Sequence, residues 1–254
     1  MEINGSKAIM VGGASGMCLA TAERFVAKGG KVAILDLESS DGKAVAERLG
    51  ATFHPCNVMD HAGMETVIGE AVDSLGGVHF CVNTAGGGAA IRTLGKDGTP
   101  HALDVFQRVI ELNLIASFNI NRLAAMHMAK NEPNESGERG VMVNTASIAA
   151  FEGQIGQVSY TAAKAGIAGM TLTMARDLGA VGVRIMTIAP SLFATGLTKG
   201  IPDAAADNMT KDAAFPRRMG VPDEFAIMAI AIFECAMMNG STIRVDGGQR
   251  FAPK

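Results

Sequence analysis

The chain has 254 residues, 48% of them hydrophobic, and a formal net charge of −3 with no long run of either sign. That length and apolar content suffice for one extensive core, and the charge leaves no footprint for nucleic acid or for an anionic membrane surface. The four cysteines (Cys18, Cys56, Cys81 and Cys235) form no close pair and the five histidines are scattered, which argues against a disulfide framework or a metal site and fits a reducing, cytoplasmic compartment.

The elements alternate from the start. An apolar run at 8–11 predicts a strand, and GGASG at 12–16 a turn. A helical pattern with Leu19, Ala22, Phe25 and Val26 stops at Gly29-Gly30, and a second strand at 31–35 ends at Asp36. This is a strand–turn–helix–strand unit. The first strand begins near Lys7, which leaves no room for a conventional signal or transit peptide. Further helices are predicted at 41–49, 61–75, 103–130, 158–178 and 222–237, between strands at 51–54, 78–82, 140–145, 183–189 and 241–245. The pattern implies an α/β fold: a doubly wound, seven-stranded parallel sheet with helices on both faces, in one domain over 1–254. The longest apolar segment, 225–238, carries Glu234. It is too short for a membrane span and suits a buried helix. Arg217-Arg218 reads as a solvated helix end.

Two long stretches, 86–102 and 191–218, follow strand C-terminal ends, the edge at which doubly wound sheets bind ligands. The second is expected to be a substrate lid carrying short helices. Gly12, Gly13 and Gly16 lie between the first strand and the first helix, where the backbone can approach a pyrophosphate favoured by the helix N-terminus. Asp36 ends the second strand, where a carboxylate accepts hydrogen bonds from adenosine ribose hydroxyls and repels a 2′-phosphate. No arginine stands at Ser15 or Leu37 to offset that, so NAD is expected rather than NADP.

Chemistry concentrates at 144–166. Tyr160 is the only tyrosine, Lys164 follows four residues later on the same helical face, and Ser147 ends the strand-like run 141–143. A free phenol titrates near pH 10, and each unit of lowering requires about 1.4 kcal/mol. A lysine cation beside it is expected to supply part of that. The stretch reads as a tuned proton-transfer site.

Together these features resemble the short-chain dehydrogenase/reductase family over nearly the whole chain. Its cofactor motif falls on Val11, Gly12, Gly16 and Cys18, its Asn-Asn-Ala-Gly on Asn83, Thr84, Ala85 and Gly86, its helix asparagine on Asn113, its Ser and Tyr-x-x-x-Lys on Ser147, Tyr160 and Lys164, and its Pro-Gly on Pro190-Ser191. The resemblance implies a Rossmann fold and a catalytic set of Asn113, Ser147, Tyr160 and Lys164. It also implies that Ser15, Met17, Leu37, Asn57, Val58, Asn83, Ala85, Gly86, Pro190, Leu192, Phe193 and Thr195 join Gly12, Gly16 and Asp36 along NAD, with Tyr160 and Lys164 at its nicotinamide end. Ser147 and Tyr160 would meet the substrate, with the polar Gln154 and Gln157 nearby as further candidates. Val11, Cys18, Asn57 and Ser191 depart from the family pattern and predict a weaker hold on the cofactor.

The segments at 131–160, 186–197, 215–225 and 239–248 further resemble the type II 3-hydroxyacyl-CoA dehydrogenases of that family. The activity implied is interconversion of a secondary alcohol and a ketone, first as a 3-hydroxyacyl-CoA and 3-oxoacyl-CoA pair in fatty acid metabolism. A hydroxysteroid or general secondary-alcohol dehydrogenase is a second reading, and a cofactor-poor partner-binding subunit a third. The helix at 158–178 is apolar on more than one face, so an oligomer interface is expected. The resemblance implies a homotetramer.

Overall fold

The computed structural model describes residues 1–196 and 202–253. In chain order it runs β1 (Lys7–Val11), α1 (Gly16–Ala27), β2 (Lys31–Asp36), α2 (Gly42–Leu49), β3 (Thr52–Pro55), α3 (Gly63–Leu75) and β4 (Phe80–Asn83). Then come α4 (Leu103–Ile110), a π-helical turn (Glu111–Ile115), α5 (Ala116–Met128), β5 (Gly140–Thr145), a 3₁₀ turn (Ile148–Ala150), α6 (Val158–Gly179), β6 (Val183–Pro190), α7 (Asp203–Thr210), α8 (Pro222–Glu234) and β7 (Thr242–Val245). Among the described residues, seven strands form one sheet in the order β3-β2-β1-β4-β5-β6-β7, with every pair parallel. This is the predicted doubly wound α/β architecture.

Strand alternation divides the core between two faces. Ala8 and Met10 of β1 pack with Phe25, Phe80 and Phe233 beneath α1 and α8. Ile9 and Val11, one residue out of phase, pack with Met64, Ile68, Ile120 and Leu123 beneath α3 and α5. Every residue of β5 and β6 is buried. The chain order reverses between β1 and β4, which opens a crevice at the C-terminal ends of those strands.

Most boundaries fall within two residues of the sequence reading, and the following differences matter to the site or the core. The single helix expected over 103–130 is interrupted by the π-helical turn. Asn113 at its centre donates from Nδ2 to the Val109 carbonyl (2.8 Å), so a side chain takes a carbonyl in the helical ladder. The last helix stops at Glu234 rather than near Met237, because the Arg184 guanidinium gathers the carbonyls of Ile232, Phe233 and Met238. The fourth strand runs over Phe80–Asn83 rather than 78–82. The loop at 191–218 carries α7, and its segment 197–201 lies outside the described residues. Among the described residues no helix is long and apolar enough to cross a membrane.

Candidate active site

The crevice starts at the turn between β1 and α1. Gly12 has φ +77°, and a side chain there would begin 2.9 Å from Thr84 Oγ1. Only glycine lets this turn pass so close to the end of β4. Asp36 is fixed from two sides: its carboxylate accepts from the Ala14 N–H (2.9 Å) and from the Leu37 N–H (2.8 Å). It ties the end of β2 to the glycine turn. These groups open onto a cleft of ≈ 610 Å³.

Of the residues expected along a dinucleotide, Gly12, Ser15, Gly16, Met17, Asp36, Leu37, Asn57, Val58, Ala85, Gly86 and Thr195 line this cleft. Asn83 does not. It is buried, donates to Ser117 Oγ (3.0 Å) and accepts from the Ala85 N–H (3.1 Å), so it shapes the cleft from below. Asn57 Oδ1 accepts from the Met59 N–H (3.1 Å) and so holds its own turn. Cys56, Arg108 and Leu112 also line the cleft, and the sequence reading misses them. Arg108 and Leu112 reach it from the α4 region, far away in sequence.

A second pocket, of ≈ 380 Å³, shares Met17, Thr84, Gly86 and Thr195 with the first. Ser147, Tyr160 and Lys164 converge there with Gln157, Pro190, Leu192 and Phe193. Gln154 stands outside its wall. Its backbone N–H donates to Gln157 Oε1 (3.1 Å) and its side chain to the Ala252 carbonyl (3.2 Å). Phe251 also lines the pocket, without a signal in the sequence to place it there. It lies in a tail beyond the last strand, where no periodicity guides assignment.

Ser147 leaves β5 in extended geometry, and its Oγ accepts from the Ala149 N–H (3.1 Å), capping the 3₁₀ turn. Its hydroxyl proton is turned toward the Tyr160 phenol. Tyr160 and Lys164 lie in the first two turns of α6. Lys164 is 3% exposed and donates from Nζ to the Thr145 carbonyl (2.8 Å). Asn113 clamps one residue of the loop after β4: Nδ2 donates to the Gly87 carbonyl (2.7 Å) and Oδ1 accepts from the Gly87 N–H (3.2 Å). Gly86 lies between, where a Cβ would meet Asn113 Oδ1 at 2.5 Å and Lys164 Nζ at 3.4 Å.

The electrostatics differ from the simple expectation. Burial pushes the Tyr160 phenol above its ordinary value, and the hydrogen bond with Ser147 pulls the other way. The lysine ammonium lies 5.6 Å from the Tyr160 ring centroid and points to a carbonyl. Burial brings Lys164 itself down from 10.5 to about 8, so it exchanges its proton close to neutral pH.

Two departures from the family pattern are absorbed locally. Cys18 is fully buried in the core beneath α1, away from the cleft wall, and burial pushes its thiol far up. Thr84 hydrogen-bonds that thiol and stands over Gly12. It brings to the turn a hydroxyl that Val11 lacks.

A family model described as enoyl-(acyl carrier protein) reductase matches residues 12–250. The chain is 45% identical to the human 3-hydroxyacyl-CoA dehydrogenase type-2, covering 99% of this chain and 98% of that protein. It is 44% identical to the protein of that name from Drosophila melanogaster, with 99% and 100% covered. The crystal structure of 3-hydroxyacyl-CoA dehydrogenase type-2 from Mycobacterium avium superposes with a TM-score of 0.95 at 42% identity, over 98% of each chain. The chain belongs to the short-chain dehydrogenase/reductase family. It is an oxidoreductase of that family, whose dehydrogenases use NAD(P) and act on small molecules. The glycine turn, the helix start at Gly16 and the cleft beside Asp36 suit an extended dinucleotide with a pyrophosphate at its middle.

Proposed function

We propose that the protein is an NAD-dependent dehydrogenase that interconverts a 3-hydroxyacyl-CoA and a 3-oxoacyl-CoA. The observation that carries this reading is the convergence of Ser147, Tyr160 and Lys164 on a pocket sharing a wall with the Asp36 cleft. The substrate class rests on the relatives named for that activity across their whole length.

In this reading Gly12, Ser15, Gly16 and Met17 hold the pyrophosphate, and Asp36 accepts from the adenosine ribose hydroxyls. A nicotinamide held there would supply the hydride transfer. Ser147, which faces Tyr160, shares its hydroxyl with the substrate oxygen and fixes the carbinol carbon. Tyr160 as phenolate takes the alcohol proton in oxidation and returns it in reduction. Burial opposes the phenolate and the Ser147 hydrogen bond favours it, and the positive charge of Lys164 would add to that compensation. Lys164, titrating at about 8, would hand its proton to a water chain leading to solvent, which Asn113 supports by holding the loop at Gly87, and take up the proton from Tyr160.

The same reading gives a homotetramer, supported by exposed Phe118 and Met126 on α5 beside Leu178 of α6 and Val181. It also gives a cytoplasmic location, supported by four free thiols, two of them buried. A cofactor-poor subunit loses its motive where Cys18 and Val11 face the core.

The deciding assay offers acetoacetyl-CoA, a 3-ketosteroid and a simple ketone with NADH or NADPH. Turnover of acetoacetyl-CoA with NADH is expected to lead in kcat/KM. A steroid lead favours the hydroxysteroid reading, and an NADH preference that is unchanged in Asp36→Ala removes the role given to that carboxylate.

A further inference from the structure

We infer that Phe251 sets the acyl-chain length that the protein accepts, an inference resting on the dehydrogenase reading above. The segment 249–253 forms a strap across one side of the substrate pocket, and both its ends are tied down. At the near end Gln249 is 1% exposed. Its Nε2 donates to the Met209 carbonyl of α7 (2.7 Å), and its own carbonyl accepts from Arg244 (3.0 Å). Arg244 is in turn held by both carboxylate oxygens of Glu152 (2.8 Å each). At the far end Gln154 donates to the Ala252 carbonyl (3.2 Å), and the Ile155 N–H donates to the Pro253 carbonyl (3.1 Å). These two bonds fix the tail against the turn that carries Gln157. Between the two ties, Phe251 faces the pocket that holds Ser147 and Tyr160.

A 3-hydroxyacyl thioester has two arms at its carbinol carbon. One leads through the thioester to a long phosphorylated carrier, which must leave the pocket for solvent. The other is an alkyl chain that ends in a methyl group. A wall closed by a strap fixed at both ends admits only the arm that terminates inside. An aromatic ring on that wall offers the alkyl arm apolar contact and then stops it. Phe251 is therefore a specificity-determining residue, and Gln249 and Gln154 are positioning residues that hold it through the backbone.

The test uses the full chain with NADH and straight-chain 3-oxoacyl-CoA substrates of four, eight and twelve carbons. Phe251→Ala is expected to raise the eight-to-four-carbon ratio of kcat/KM by about tenfold, the scale on which an apolar pocket discriminates chain length. Phe251→Trp is expected to lower the same ratio below wild type, which keeps the test decisive if the alanine variant folds poorly. Ratios that stay within twofold of wild type in both variants overturn the inference while leaving the dehydrogenase reading intact. A change that instead tracks the carrier, comparing CoA with N-acetylcysteamine thioesters of one chain length, places the ring on the thioester arm and also overturns it. A wild-type protein that turns over none of the thioesters removes the dehydrogenase reading and this inference together.

Discussion

At the scale of single residues, Lys164 shows how the site trades stability for chemistry. Its ammonium is buried and bound to one carbonyl, and burial lowers its pKa from 10.5 to about 8. The folded protein thus binds this proton less tightly than the unfolded chain does. That costs the fold on the order of 3 kcal/mol at neutral pH. The cost is fully present below pH 8 and fades as pH rises toward 10.5. Lys164→Met removes the charge but leaves the Thr145 carbonyl without its donor, which offsets about 1–3 kcal/mol of the gain. The cofactor-free variant is expected to melt at or above the wild-type temperature at pH 7, with any advantage shrinking by pH 10, while kcat falls by about two orders of magnitude or more. Thermal melts across pH check the first outcome and steady-state rates the second. A variant that melts well below wild type at pH 7 shows that the ammonium stabilises the fold. Gly88 bears on the same site from the other side: a Cβ there would sit 3.0 Å from Tyr160 Cδ2. Gly88→Ala is expected to lower kcat with little change in melting temperature, since it displaces the tyrosine ring at the rim of the pocket.

At the scale of elements, the π-helical turn at Glu111–Ile115 joins a helix to a catalytic loop. Asn113 commits its whole amide to backbone, with bonds to Val109 and to both polar groups of Gly87. Asn113→Leu keeps the volume but removes the partners of both polar groups of half-buried Gly87, at up to about 1–3 kcal/mol for each group left unsatisfied. The expected outcome is faster amide hydrogen exchange at Gly87 and a drop in kcat. Unchanged protection at Gly87 would remove the clamp from the account. The sequence shows how far such features can be read in advance. Apolar runs and turn glycines place all seven strands within a few residues, and for the five inner strands burial on both faces leaves a direct signature. The residues lining the two pockets are legible where a motif carries them, as at Gly12, Asp36, Tyr160 and Lys164. The π-helical turn is not, since it depends on a side chain meeting a loop distant in sequence. Arg108 and Phe251 reach their pockets through tertiary packing that no local spacing encodes, and the raised phenol depends on how deeply Tyr160 is buried.

At the scale of the whole molecule, the sheet and its helices leave an apolar surface uncovered. Phe118 is 50% exposed and Met126 43% exposed on α5. With Met174, Leu178 and Val181 they line a groove of ≈ 350 Å³ between α5 and the end of α6. Both helices also build the active site: α6 carries Tyr160 and Lys164, and α5 continues from the turn that carries Asn113. A second copy of the chain packed on this groove would bury its side chains and brace those helices from behind. Stable interfaces bury roughly 1,200–2,000 Å² in total, so the groove is the centre of such a contact rather than the whole of it. Charge placed at that centre is the most damaging change, because an unpaired carboxylate is costly to bury. The double variant Phe118→Glu/Met126→Glu is expected to sediment as a smaller species than wild type at micromolar concentration. The same variant should keep a folded circular dichroism spectrum while losing activity on dilution sooner than wild type. Wild-type protein that sediments as a monomer at that concentration rules out the homotetramer, and a variant that keeps the wild-type assembly moves the interface to another face.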